Sequence, residues 1–200
     1  WLKQGRFVTT ANCWTRSPYR SALRLRRNTW LQPPTTSPGT GTPGYWKNHP
    51  EAWPATIMVG GVTYTVKPMA DYEIWGLVVS NHDTSTWWNW IHKASHDNLN
   101  VVDLCVVFAE NVTSGGYVGL DYSSGQFVCY VQTHSAEKWQ RFSMRALANN
   151  HLLADRPSIV AKLRNVRIGD QVRIRGWLSE YAHNHGFAFV RGTSLTRDDN

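Results

Sequence analysis

Apolar and polar residues alternate most cleanly in Gln171-Val-Arg-Ile-Arg-Gly-Trp-Leu178. Val172, Ile174 and Leu178 fall on one side and Arg173, Arg175 and Trp177 on the other, the two-residue period of a half-buried strand. A Gly169-Asp170 turn leads into it, and 187–191 predicts a last strand. Residues 72–79, 101–109 and 126–132 are apolar on both sides, as strands buried on both faces are. Gly115-Gly116 and Ser123-Ser124-Gly125 punctuate the chain between them. Upstream, 56–66 predicts two short strands joined at Gly60-Gly61, a hairpin turn sequence.

Residues 146–155 read as helical, with a short first helix over about 143–149. The second helix is better marked: Asp155 can cap it, Pro157 sits in its first turn, and Ile159, Val160, Leu163 and Val166 form one stripe. Strands outnumber helices and no βαβ alternation is present. The predicted class is mostly β (α+β), a sheet or a distorted OB-like barrel with two short helices, preceded by a flexible tail.

Charge divides the chain in the same place. The net charge is +7, yet no acidic residue precedes Glu51, and the residues before it carry +8, so the remaining 150 are close to neutral. The basic balance belongs to a tail over 1–32, with no clean period, and not to the folded body. Residues 33–44 are a Pro/Gly/Thr linker; 45–70 combine an aromatic segment with the short hairpin; 71–200 form the β-rich domain. The linker spells G-x-G-x-x-G at Gly39, Gly41 and Gly44, but no strand precedes it and Pro43 interrupts it, so it is not a dinucleotide loop. The near-neutral body argues against nucleic acid as a partner beyond nonspecific contact with the tail. No apolar run is long enough for a transmembrane segment. The start at Trp1 and the stop at Asn200 within a polar run predict a fragment, truncated at the C-terminus.

Candidate chemistry is sparse. Cys105 and Cys129 lie in apolar strand-like runs and are either neighbouring buried thiols or a cross-strand disulfide. His92 and His96, four apart, could share a helix face and hold a divalent metal with Asp97, the one cofactor these residues suggest. Lys93 stands where a metalloprotease helix has its glutamate. His183-Asn184-His185 reads as a hairpin tip, and His151, beside Leu152 and Leu153, as a satisfied structural histidine more than a general base. There is no nucleophile elbow and no paired carboxylate at useful spacing, so the chain leans away from being an enzyme. Arg173, Arg175 and Trp177 are the best ligand-binding candidates, cations beside an aromatic, against the reading of a solvated face whose arginines pair with Asp170 or Glu180. Eleven tryptophans exceed what one core of this size needs, so some are expected at the surface.

From residue 71 onward the chain resembles a family of bacterial proteins of unknown function. The likeness rests on Tyr72-Glu-Ile-Trp-Gly-Leu-Val-Val-Ser80, Asp103-Leu-Cys-Val-Val107, Ala148-Asn-Asn-His-Leu-Leu-Ala-Asp155, Gly169-Asp-Gln-Val-Arg173 with Gly176, and Ser194-Leu-Thr-Arg-Asp198. It implies an exported or membrane-tethered protein whose relatives continue into a cysteine-bearing segment and a final strand. The stretch 42–54, with Tyr45-Trp-Lys-Asn-His-Pro-Glu-Ala-Trp-Pro54, is similar to a short motif of bacterial secreted and surface proteins. Together they imply an envelope or extracellular location and a non-catalytic binding or structural domain facing a protein or carbohydrate surface. A metal-dependent hydrolase using His92 and His96, and a single-strand nucleic-acid binder, are the alternatives.

Overall fold

A computed structural model describes residues 6–8 and 54–193, apart from 88, 126 and 155. The linker, most of the basic tail, the segment 45–53, the Asp155 cap and the Ser194 to Asp198 block lie outside the described residues. The strands are β1 (Arg6–Val8), β2 (Ala55–Val59), β3 (Val62–Asp83), β4 (Asn100–Val107), β5 (Asp121–Ser124), β6 (Cys129–Gln132), β7 (Leu147–Leu153), β8 (Gln171–His183) and β9 (Phe189–Arg191). Four short helices join them: α1 (Trp90–Ala94), α2 (Ala109–Thr113), α3 (Ala136–Gln140) and α4 (Pro157–Arg164). The fold is mostly β.

Seven strands pair in the order β2-β3-β4-β7-β1-β8-β9, and β3 also pairs with β8. The 22-residue β3 is the spine. Its first half pairs with β2 through the turn at Gly60 and Gly61, both at positive φ as such a tight hairpin demands. From Thr65 to Leu77 it pairs with β8, and from Leu77 to Asp83 with β4. The predicted alternation of β8 holds: Val172, Ile174 and Leu178 are buried, while Arg175 and Trp177 are exposed. Residues 1–32 were expected to have no stable fold, but Arg6–Val8 forms a strand parallel to β7 and touching β8 at Val8↔Leu178.

Two predictions need correction. Leu147–Leu153 is a strand, not a helix, preceded only by a 3-10 turn at Met144–Ala146. Its Ala, Leu and Asn residues carry little strand propensity, and long-range pairing with β4 overrides them. Among the described residues the helices number four, not two; α1 to α3 have five residues each, too short to show a period.

The core has three parts. One side of the sheet, with Ile74, Leu104, Ala148 and Ile174, is closed by Ile159 and Leu163 of α4. On the other side Leu77, Cys105, Val107 and Leu147 meet Val112, Leu120 and Phe142 of the segment carrying α2, β5 and α3. A third cluster of Val62, Tyr64, Val66, Leu99 and Tyr181 fills the end near β2 and β9. The second side is covered only in part: where β3 runs from Asp71 to Trp75, against Arg173 to Trp177 of β8, its side chains are partly or fully exposed.

Candidate functional site

That bare strip holds the predicted ligand-binding residues. Antiparallel register sets Asp71 opposite Trp177, Glu73 opposite Arg175 and Trp75 opposite Arg173, so all six side chains share one face. Arg173 does not pair with Asp170 or Glu180. It reaches diagonally to Glu73, with Nε 2.7 Å and Nη2 2.6 Å from Oε1, and its guanidinium lies 5.0 Å from the Trp75 ring centroid. Asp170 instead caps the Arg167 backbone N–H, and Glu180 faces Lys67. Two acids and two arginines balance along the strip, with an indole towards each end. Trp87 and Trp90 are exposed elsewhere, at 81% and 65%, as the tryptophan surplus predicts.

The predicted metal set is not assembled. Helix α1 ends at Ala94, so His92 and His96 share no helix face. His96 has φ +50°, and its ring faces those of His185 and His183, at 4.9 and 6.3 Å. His92 turns inward, with Nε2 3.7 Å from Asp97 Oδ2. Among the described residues no group of three or more His, Cys, Asp or Glu side chains is placed to hold a metal ion. His183-Asn184-His185 does end the β8–β9 hairpin, and His183 Nδ1 accepts the backbone N–H of His185.

The largest concentration of buried polar groups lies where β4 and β7 meet α1, β8 and β9. Asp103 Oδ1 is 2.6 Å from His151 Nδ1 and accepts from Asn100 Nδ2 at 2.8 Å. Asn100 Nδ2 also lies 3.2 Å from His92 Nε2. The His92 tautomer follows from its neighbours. Asn89 Nδ2 donates to the Thr84 carbonyl, so Asn89 Oδ1 is the acceptor facing His92 Nδ1 at 2.7 Å, and Nδ1 carries the proton. Nε2 is left to accept. Tyr181 donates to Asp97 Oδ1 at 2.7 Å, and Arg191 Nε lies 3.8 Å from Asp97 Oδ2. His151 is the satisfied structural histidine predicted for it, fully buried on a carboxylate.

Burial sets the protonation of this cluster. It pulls His92 down to about 4, helped by the positive charge of Arg191 and opposed by Asp103, so His92 is neutral near pH 7. Burial also raises Asp97, against its Tyr181 hydrogen bond and Arg191. Burial pushes Asp103 upward too, but the charge and hydrogen bond of His151, with His92 and Asn100, more than reverse this, so its carboxyl ends below the usual range.

Cys105 and Cys129 form a disulfide, with Cα atoms 6.0 Å apart, tying β4 to β6. Of the two readings left open by their apolar surroundings, the bridge is the one found. Sequence reasoning missed Asp103, Asn149 and Arg191 as parts of one cluster. Their partners are 48 and 94 positions away, as in Asp103 with His151 and Asp97 with Arg191, and no local spacing reports such pairs. No helix among the described residues is long and apolar enough to cross a membrane. No protein-family model, curated protein or solved structure matches the chain.

Proposed function

We propose that this chain is a non-catalytic binding domain of the bacterial envelope or extracellular space, taking a carbohydrate chain on the bare strip of β3 and β8. The observation that carries the reading is one shared face with Trp75 and Trp177 towards its ends and Asp71, Glu73, Arg173 and Arg175 between them. Four residues along a strand separate the two indoles by about 13 Å. Indole faces suit the apolar faces of sugars, and a charge-balanced polar strip suits hydroxyl groups better than a polyanion. The arginine nearest Trp75 is already committed to Glu73, which weakens the nucleic-acid alternative. The Cys105–Cys129 bridge supports an oxidising compartment. The OB-like reading draws support from pairings that run in a ring through β3, β4, β7, β1 and β8, an architecture suited to oligosaccharides and oligonucleotides.

Tryptophan fluorescence titration of the full chain with neutral hexasaccharides of glucose and N-acetylglucosamine tests this. One of them should bind with little salt dependence and lose about tenfold in affinity in Trp177→Ala, about 1.4 kcal/mol. Binding only to a single-stranded oligonucleotide, with a steep salt slope that survives deletion of residues 1–44, would establish the nucleic-acid alternative instead.

A further inference from the structure

The seven-stranded sheet ends in β2 on one side and β9 on the other. A strand edge offers unpaired N–H and C=O groups to any other strand, and proteins blunt such edges with charge, proline, bulges or shortness. β9 is blunted, with three residues that end in Arg191. β2 is not. Its five residues, Ala55-Thr-Ile-Met-Val59, carry no charge and no proline, and they pair with β3 in unbroken register. Thr56 and Met58 are exposed, Met58 at 73%, although methionine is a side chain that interiors favour.

The hairpin fixes which backbone groups of β2 face outwards. The two-residue turn at Gly60-Gly61 makes Val59 and Val62 a hydrogen-bonded pair, and the ladder alternates from there. Val59, Ile57 and Ala55 therefore direct their N–H and C=O groups to β3, while those of Thr56 and Met58 point away from it. Among the described residues no strand pairs with that side of β2.

This edge is complementary to itself. A second β2 laid antiparallel, with Ile57 facing Ile57 of the other copy, sets Thr56 opposite Met58 at two places. Each pairing exchanges two hydrogen bonds between groups that already point outwards. All five residues are used, and Pro54, which has no N–H to offer, falls opposite Gly60 of the turn. Shifting by one residue turns the outward groups against inward-directed ones, and shifting by two brings Pro54 or Gly60 into the ladder. The side chains agree with this register. Thr56 meets Met58 on one face, Ile57 meets its own copy on the other, and no charge lies on either strand. Joining β2 to β9 of another copy would use only three residues and would not close.

We infer that the free edge of β2 is the docking surface for a second copy of this chain, joined β2 to β2 about a two-fold axis between the Ile57 residues, with one sheet continuous through both. Five paired residues on each side lie at the small end of specific interfaces, so the dimer is reversible, with a Kd of about 10–100 μM.

Sedimentation velocity of the full chain from about 1 μM to about 1 mM tests this and should show half-dimerisation within that range. Thr56→Pro removes an outward N–H and no bond to β3, and edge strands tolerate such a proline. Met58→Lys charges a side chain that already stands in water. Each should raise the dissociation constant at least tenfold and leave the melting transition nearly unchanged. Cys105 and Cys129 are bridged, so a Cys13→Ser background leaves no other thiol. In it, Ile57→Cys should form an intermolecular disulfide on mild oxidation, because facing residues of this kind have Cα atoms about 4.5 Å apart. Thr56→Cys should not. The cross-link serves as the test if either edge variant fails to fold. A chain monomeric throughout the range, a dimer indifferent to both edge substitutions, growth past the dimer, or equal cross-linking from positions 56 and 57 overturns the proposal.

Discussion

Asp103 and His151 occupy one register position of β4 and β7, and their facing atoms are 2.6 Å apart in an interior that excludes water. The Asp103 carboxyl is held below its usual range in the folded chain. A carboxyl depressed in this way stabilises the fold above its unfolded value, near 3.9, and loses that contribution as pH falls through the folded value. Asp103→Asn should therefore destabilise the protein at pH 7 by about 3–5 kcal/mol, the cost of breaking a buried pair. The gap between variant and wild type should narrow below about pH 4. Urea midpoints from pH 3 to 7 measure both.

His92 has the opposite charge logic. Its folded value near 4 lies below the unfolded 6.5, so the unfolded chain takes up the proton first. Stability should fall as pH drops from about 6.5 to 4, by up to about 3 kcal/mol. His92→Gln, which keeps a donor for Asn89, should abolish this part of the slope while lowering stability at pH 7. NMR titration of the His92 ring should show no protonation above pH 5.

The disulfide closes a short loop, with a sequence separation of 24. Chain entropy alone assigns such a bridge about 3 kcal/mol. Reductant, or Cys105→Ala with Cys129→Ala, should lower the denaturant midpoint by a corresponding amount without changing the far-ultraviolet dichroism. Cys105 is fully buried, so its own alkylation in the native protein should fail before denaturation, even with reductant.

Local pattern carries part of this fold and long-range pairing the rest. The Gly60-Gly61 hairpin and the alternation of Arg173, Arg175 and Trp177 were legible because a turn and a period of two are local signals. Leu147–Leu153 was not, since Asn150 points to Tyr72 and the inner core while Asn149 and His151 face the polar cluster. Polar residues on both faces of a buried strand mimic no strand template. The bare strip was half legible: β8 showed its arginines and Trp177, but Glu73 and Trp75 belong to a strand 100 positions earlier. The polar cluster was invisible as a unit, because five separate elements supply it.

Gly76 shows how closely the central strands approach. A Cβ there would come within 2.4 Å of the Val107 carbonyl oxygen and 2.5 Å of Val106 Cγ1. Because the first obstacle is backbone, β4 would have to shift. Gly76→Ala should cost about 1–3 kcal/mol or more, and amide exchange should accelerate along β3 and β4 before it does in α4.

Glu73 and Arg173 separate binding from stability. Their side chains remain 21% and 39% exposed, and pairs so open to water contribute about 0.2–1 kcal/mol. Glu73→Gln should therefore leave the melting transition nearly unchanged. It should release the Arg173 guanidinium from its carboxylate and unbalance the strip. Affinity for a neutral oligosaccharide should fall several-fold, and, in chains lacking residues 1–44, weak, salt-sensitive affinity for a single-stranded oligonucleotide should exceed that of the unsubstituted chain. A thermodynamic cycle with Arg173→Ala, read in both stability and sugar affinity, should give coupling below about 1 kcal/mol in the first and a clear interaction in the second. Coupling confined to stability would make the pair a strut of the sheet and remove it from the ligand face.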